Sequence, residues 1–415
     1  MFVDKGTSQV VALLLQAGFR DLGSAEQSTL LGKVNGKPYS KVAPVLFSGL
    51  GPGFAKLGQI LASRGAELIA PQYQAPLDTL SEQGEEVPHQ QITARIRQQL
   101  GARAANIVIE QKALGVGSIG QTHRATLTEP GQQPQKVVVK VIKPGATQGL
   151  RRNLATMTQA LGTNAATGSF RAVFKELEQH VALETDLRHE EKAINRARAP
   201  LSKRGFATVP DVLAAYTAEK VLVEKPVEGE SIAKNMPLHR ERTARGFFKE
   251  VLAQIFEDGF VHGDPHLGNV FNSKKELRTF LDWGLHGEVK KDDQVSLTKV
   301  AMAVGTGHVA GIVDALEKMS RGSKIDSKAL SDGVQTVLDA KLGAGQTIQR
   351  VVLEAQKAGA NVPSGVVWSS KALFQAEGLA KRLDPKFSAK SAVIEYVAKR
   401  ALTSWIPRIS AAAKP

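Results

Sequence analysis

The run "QKVVVKVIKPG" at residues 135–145 sets one lysine among four valines. The valines call for a strand, because β-branched side chains pack well on a pleated surface and crowd a helix. A lysine inside such a strand must either carry its ammonium out to water or meet an anion, since an unpaired buried cation is costly. Lys140 therefore predicts both a sheet and a charged partner. A second β-branched stretch, "NIVIEQKALGVGSIGQTHRATLT", precedes it, and the polar link "EPGQQPQ" between the two reads as a loop. Two more strands and an exit segment are expected in "ATVPDVLAAYTAEKVLVEKPVEGESI".

Outside these runs the periodicity is helical. "GPGFAKLGQILASRGAELI" spaces Phe54, Leu57, Ile60 and Leu61 near the 3.6 period, and "HQQITARIRQQLGA" follows Pro88. One long helical stretch is expected from Leu150 to Arg198, another after Thr243, and a third from Ser296 onward with Gly and Pro breaks. The 415 residues, 42% of them hydrophobic, suffice for two or three structural units. Cysteine is absent, which excludes disulfides and thiolate metal sites and favours a reducing compartment. The first residues, "MFVDKGTSQVVALLLQAGF", do not read as a signal peptide, because Asp4 sits in the would-be basic region. No 18-residue apolar window suggests a spanning helix. The net charge of +14 favours anionic partners: nucleotide, nucleic acid or acidic headgroups.

The chemistry concentrates in "FVHGDPHLGNVFNSKKELRTFLDWG", residues 260–284. Phosphoryl transfer needs a carboxylate to orient the acceptor, plus an asparagine and a second aspartate on Mg²⁺. Asp264 and Asn269, five residues apart after His262, reproduce the spacing of a kinase catalytic loop, and Asp282 follows thirteen residues later in "LDWG". Upstream, Gly115, Gly117 and Gly120 form a GxGxxG run between two strands. That context matches a loop covering ATP phosphates better than a dinucleotide fold. His262 and His266 as metal ligands of a hydrolase is the competing account; Pro265 argues against the helix it needs, and it leaves Asn269 and Asp282 without a role.

On these motifs the chain resembles the UbiB/AarF/ADCK atypical kinases, over roughly residues 45–290. The resemblance is carried by "KLGQ" at 56–59, "SIGQTH" at 118–123, "ETDLRHEEKAIN" at 184–195, "HGDPHLGN" and "LDWG". It implies an α+β, protein-kinase-like two-lobe fold with a helical N-terminal extension at 1–105, an N-lobe with inserted helices at 106–229 and a helical C-lobe at 230–415. The hinge is expected near Val223 to Glu228, with Mg-ATP in the cleft between the lobes. By resemblance, Lys56 and Gln59 belong to an extension over the active site, Glu184 and Asp186 are the family's paired acids, and Glu190 is the partner of Lys140. Gly115, Gly117, Ser118, Gly120 and Gln121 would line the nucleotide, Asn269 and Asp282 would hold Mg²⁺, and Asp264 would stand near the acceptor. Gly115 and Gly117 stand where the family usually has alanine, and Trp283 stands where Phe is commoner.

The implied activity is that of an atypical kinase or ATPase, with ATP and Mg²⁺ as cofactors, linked to isoprenoid-quinone or lipid metabolism. A small or lipid-like acceptor and peripheral contact with an anionic membrane from the cytoplasm are the expected partners and place. Nucleic acid is not expected, because no basic run is interleaved with stacking aromatics. An aminoglycoside- or choline-type kinase, favoured by "LDWG", and a nucleotide-gated binding module are the alternatives. From the residues alone, Lys56 with Gln59, and Asp186 with Glu190, also read as polar faces of amphipathic helices. The tail "SAVIEYVAKRALTSWIPRIS", with Val393, Val397, Ala401 and Trp405 on one side, is expected to pack on its own domain.

Overall fold

The computed structural model describes residues 5–63, 84–161, 181–273, 277–320 and 322–399, with a few isolated positions between them. The chain divides into two compact units, 1–192 with 211–226, and 193–210 with 227–415. Among the described residues no helix is long and apolar enough to cross a membrane.

The first unit opens with four helices: α1 (Lys5–Asp21), α2 (Ser24–Val34), α3 (Tyr39–Gly49) and α4 (Pro52–Ser63). Their apolar stripes close over Leu14, Phe47, Phe54, Leu57 and Leu61. Next, α5 (His89–Leu100) buries Ile92, Ile96 and Leu100, one residue per turn. The strands β1 (Ile107–Val116), β2 (Gly120–Leu127) and β3 (Gln135–Ile142) then pair as antiparallel neighbours. Along β3 the period of two sorts the valines: Val137, Val139 and Val141 are buried in a core shared with the α5 residues, and Val138 and Lys140 take the other face. Strand alternation thus moves the lysine off the apolar side.

Of the helix expected from Leu150 to Arg198, the described residues show α6 (Ala146–Leu161) and α7 (Leu187–Arg204), with 181–184 helical just before the latter. The second starts afresh because Asp186 caps it, its Oδ1 accepting from the Arg188 N–H at 3.0 Å. The two strands expected at 207–232 part company. β4 (Ala207–Thr208) pairs in the second unit, and β5 (Val221–Glu224) completes the first sheet in the order β1-β2-β3-β5. The exit segment supplies a third short strand, β6 (Glu230–Ser231).

The second unit continues with α8 (Arg240–Ala253), then β7 (Phe260–His262), β8 (Val270–Asn272), β9 (Arg278–Phe280) and β10 (His286–Glu288). The helices α9 (Lys291–Thr306), α10 (Val309–Met319), α11 (Ser327–Asp339), α12 (Ala344–Lys357) and α13 (Ser364–Leu383) follow. The strands form a sheet in the order β4-β9-β8-β6 and a ribbon β10-β7. Stacked rings fasten them: Phe247 of α8 on Phe280 of β9 at 5.5 Å between centroids, and Phe260 of β7 on Trp283 in the turn after β9 at 5.7 Å. Trp283 is fully buried and its indole N–H donates to the Phe280 carbonyl at 3.1 Å, so the tryptophan of "LDWG" is a core residue. Residues 389–399 are helical and bury Val393 and Val397 on their own unit, with Glu395 paired to Lys249 at 2.8 Å. Ala401 and Trp405 lie outside the described residues.

Truncating the stack at Phe280→Ala is expected to lower the second unit's stability by about 3–5 kcal/mol. The shift of its denaturant midpoint measures this, and a loss below about 1 kcal/mol would contradict the central role of the stack.

Candidate active site

In the first unit the glycine run is the tip of the β1–β2 hairpin. The Gly117 N–H donates to the Gly120 carbonyl at 2.9 Å, so Gly115, Gly117, Ser118 and Gly120 sit at or beside the turn. The tip is pinned from outside the hairpin: Lys143 Nζ donates to the Gly117 carbonyl at 2.6 Å and to the Glu85 carbonyl at 2.8 Å. Burial pushes the Lys143 ammonium below its usual range, against the pull of Glu85 and Glu86. The chain at 84–87 runs along the tip, with the Gly84 N–H donating to the Val116 carbonyl at 3.4 Å. A Cβ at Gly84 would come within 1.9 Å of the Gly117 oxygen, so only glycine allows this approach. Gln121 is almost fully buried, bonded to the N–H and carbonyl of Val87 at 2.9 and 3.2 Å and to His123 at 3.0 Å. Its side chain braces the crossing segment.

Lys140 meets Glu190. Its Nζ donates to both carboxylate oxygens, at 3.0 and 2.8 Å, with the Glu190 side chain 5% exposed and that of Lys140 27% exposed. The cap by Asp186 fixes where α7 starts, and so puts Glu190 in its first turn. Of the two paired acids, Glu184 takes Lys56 at 2.6 Å, and Asp186 takes the Arg188 guanidinium. Hydrogen bonding from Arg188 holds the Asp186 carboxyl below the usual carboxylate range. Gln59 donates to the Leu80 carbonyl at 2.9 Å. Lys56 and Glu184 therefore come together, while Gln59 and Asp186 have other neighbours.

In the second unit, His262 ends β7 and joins the two halves of the loop. Its Nδ1 accepts from the Asp264 N–H at 3.1 Å, and its Nε2 contacts the Leu281 carbonyl at 2.8 Å. This pair of bonds selects the neutral Nε2–H tautomer, because a protonated Nδ1 could not accept. The Asn269 Nδ2 donates to the Asp264 carbonyl at 3.2 Å, which turns Oδ1 the other way. The Leu281 N–H donates to the Asn269 carbonyl at 2.8 Å, bringing Asp282 alongside. Asp282 itself has φ +57°, a left-handed conformation that aspartate tolerates better than most residues. His266 turns inward to its own loop, its Nδ1 accepting from the Gly268 N–H at 3.0 Å.

Two residues that the motifs did not reveal close on Asp264, both from α13. Gln375 Nε2 donates to Asp264 Oδ1 at 2.5 Å, and the charge of Lys371 acts on the same carboxylate. Burial pushes the Asp264 carboxyl upward, yet Lys371, His266 and the Gln375 bond together leave it below its ordinary value. It is an ionised acceptor.

No group of three or more His, Cys, Asp or Glu suited to a metal occurs among the described residues. Mg²⁺ needs no such group, since it binds through one or two carboxylates plus phosphate oxygens and water. Asp282 with the Asn269 Oδ1 fits that donor set.

His262 is fully buried, and burial pushes its pKa down to about 4. The folded state therefore favours the neutral ring. Its contribution is complete above the ordinary histidine value of about 6.5 and is lost as pH falls toward 4, amounting to about 3 kcal/mol. Denaturant midpoints at pH 7 and 4.5 should diverge more in wild type than in His262→Gln. Equal acid losses in both proteins would refute this.

Comparison with known proteins bears on the family and the fold. The ABC1 atypical kinase-like domain matches residues 79–316. The chain is 27% identical over 372 residues to Protein ACTIVITY OF BC1 COMPLEX KINASE 7, chloroplastic, of Arabidopsis thaliana, covering 84% of this chain and 52% of that protein. It is 26% identical over 365 residues to Probable protein kinase UbiB of Xanthomonas campestris, covering 81% of this chain and 65% of the relative. The chain thus spans between half and two thirds of the length of these relatives. Among solved structures, the erythromycin complex of Rv3197 from Mycobacterium tuberculosis superposes with a TM-score of 0.50 at 20% identity, covering 82% of this chain and 94% of that one. That likeness concerns the fold, which is kinase-like and mixed α and β with a helical N-terminal region. With more than half of its length matched by that domain, the chain belongs to the ABC1 atypical kinase-like family.

Proposed function

We propose that the protein is an atypical kinase or ATPase that binds Mg-ATP and acts on a small or lipid-like acceptor in isoprenoid-quinone or lipid metabolism. The observation that carries the reading is the Lys140–Glu190 pair, in which a buried glutamate holds a strand lysine by both oxygens, at 3.0 and 2.8 Å. A cation held in this way is positioned for phosphate without a rotamer search.

Lys140 binds the α- and β-phosphates, and the backbone N–H groups of the hairpin tip lie over them. Asn269 and Asp282 hold the metal. When bound there, Mg²⁺ would supply neutralisation of the charge that develops on the phosphate oxygens. Asp264, ionised and held by Gln375, orients the acceptor hydroxyl and receives its proton. The chain at 84–87, lying along the hairpin tip, supports a small acceptor over a folded protein. Arg242 and Arg245, in the wall of a cavity of about 760 Å³, support contact with anionic headgroups, where each such basic residue contributes about 1 kcal/mol; Arg204 and Lys249 in the same wall already pair with Glu250, Asp258 and Glu395.

Asp282→Asn should abolish the Mg-dependent part of nucleotide stabilisation, which for wild type amounts to about 2.7 kcal/mol at 100 times the Kd. A thermal shift unchanged in the variant would count against the metal assignment. ATP turnover should respond to vesicles containing anionic lipid, and a generic protein substrate should be a poor acceptor. Efficient phosphorylation of such a protein, with no effect of lipid, would replace this reading with an ordinary protein kinase.

A further inference from the structure

Lys371 is 7% exposed, yet among the described residues neither a hydrogen bond nor an ion pair engages its ammonium. The Trp368 ring lies 5.3 Å from Nζ, and the Asp264 carboxylate feels the charge without direct pairing. The side chain is largely buried while its Nζ remains open to water, and oxygen atoms of an incoming anion would replace that water at three N–H donors. One turn further along α13, Gln375 donates to Asp264 Oδ1, while its own Oε1 is buried and unpartnered. Both side chains come from beyond the segment that matches the family domain, which ends at residue 316.

We propose that Lys371 binds the phosphoryl group in transit: its ammonium meets that group beside Asp264, and Gln375 positions the carboxylate. This rests on the nucleotide reading above. The acceptor oxygen forms a bond to phosphorus while the bond from phosphorus to the bridging oxygen breaks. The electron pair leaves on ADP, and the hydroxyl proton passes to Asp264. Lys371 keeps its protons throughout and offsets charge on the transferred oxygens, as a preorganised donor does. A bland alternative is a bond along the helix from Lys371 to the Gln375 Oε1, which would satisfy both groups without any ligand.

Thermal shifts with Mg-ADP, alone and with aluminium fluoride as a phosphoryl mimic, separate these accounts. In wild type, Mg-ADP should stabilise the protein and fluoride should add a further increment. Lys371→Met should keep the Mg-ADP shift and lose the fluoride increment. Its kcat for ATP should fall by roughly 100-fold with KM changed less than about threefold. Lys371→Arg should restore part of both, and Lys371→Gln is measured the same way should the methionine variant not fold. Equal fluoride increments in wild type and the variant, with turnover within about threefold, would overturn the role of Lys371 alone. No Mg-ADP shift in wild type would overturn the nucleotide reading, and this inference with it.

Discussion

The contact between Lys140 and Glu190 is the constraint around which the first unit is arranged. A glutamate this buried is tolerable only with a cation on it, and a lysine on a sheet face is fixed only if something holds its ammonium. Each group makes the other's position affordable. The strand period puts Lys140 on the face away from Val137, Val139 and Val141, and the Asp186 cap starts α7 where Glu190 falls in its first turn. Four residues of "ETDLRHE" thereby act as a unit: Glu184 anchors α4 through Lys56, Asp186 caps and clamps Arg188, and Glu190 receives Lys140.

In the second unit the equivalent constraint is the neutral His262. One face of its ring accepts from Asp264 and the other reaches Leu281, so the loop that carries the ionised aspartate and the strand that leads to Asp282 are set by one imidazole. Burial keeps that ring unprotonated at neutral pH. Trp283 completes the support from below, packed against Phe260 and His262, with centroids 5.7 and 4.7 Å away. The tryptophan therefore serves in packing.

Much of this was legible in the sequence, because its signals are local or chemically costly. A lysine among valines demands an anion, and the spacing of Asp264, Asn269 and Asp282 is fixed by a tight loop and a short hairpin. Less legible was anything whose partner is chosen by tertiary packing. Gln121 reads like a loop residue facing ligand, yet it is buried against Val87. Asp186 looks like half of an acidic pair, but its nearest cation is two residues away. Lys371 and Gln375, more than 100 residues from Asp264, look like ordinary polar positions of a helix, and no periodicity reveals that the face they share meets the loop. The fresh start of α7 was hidden for a similar reason, since a capping aspartate inside a charged stretch resembles one more solvated residue.

The central claim is that Lys140 and Glu190 act as a pair in holding nucleotide. A double-mutant cycle on Mg-ATP affinity, with Lys140→Met, Glu190→Gln and both together measured by titration calorimetry, tests it most directly. The account predicts strong non-additivity, a coupling of about 1–3 kcal/mol, because the second substitution removes little once the first has broken the pair. Losses that add within about 0.5 kcal/mol, or affinity that neither substitution alters, would contradict it.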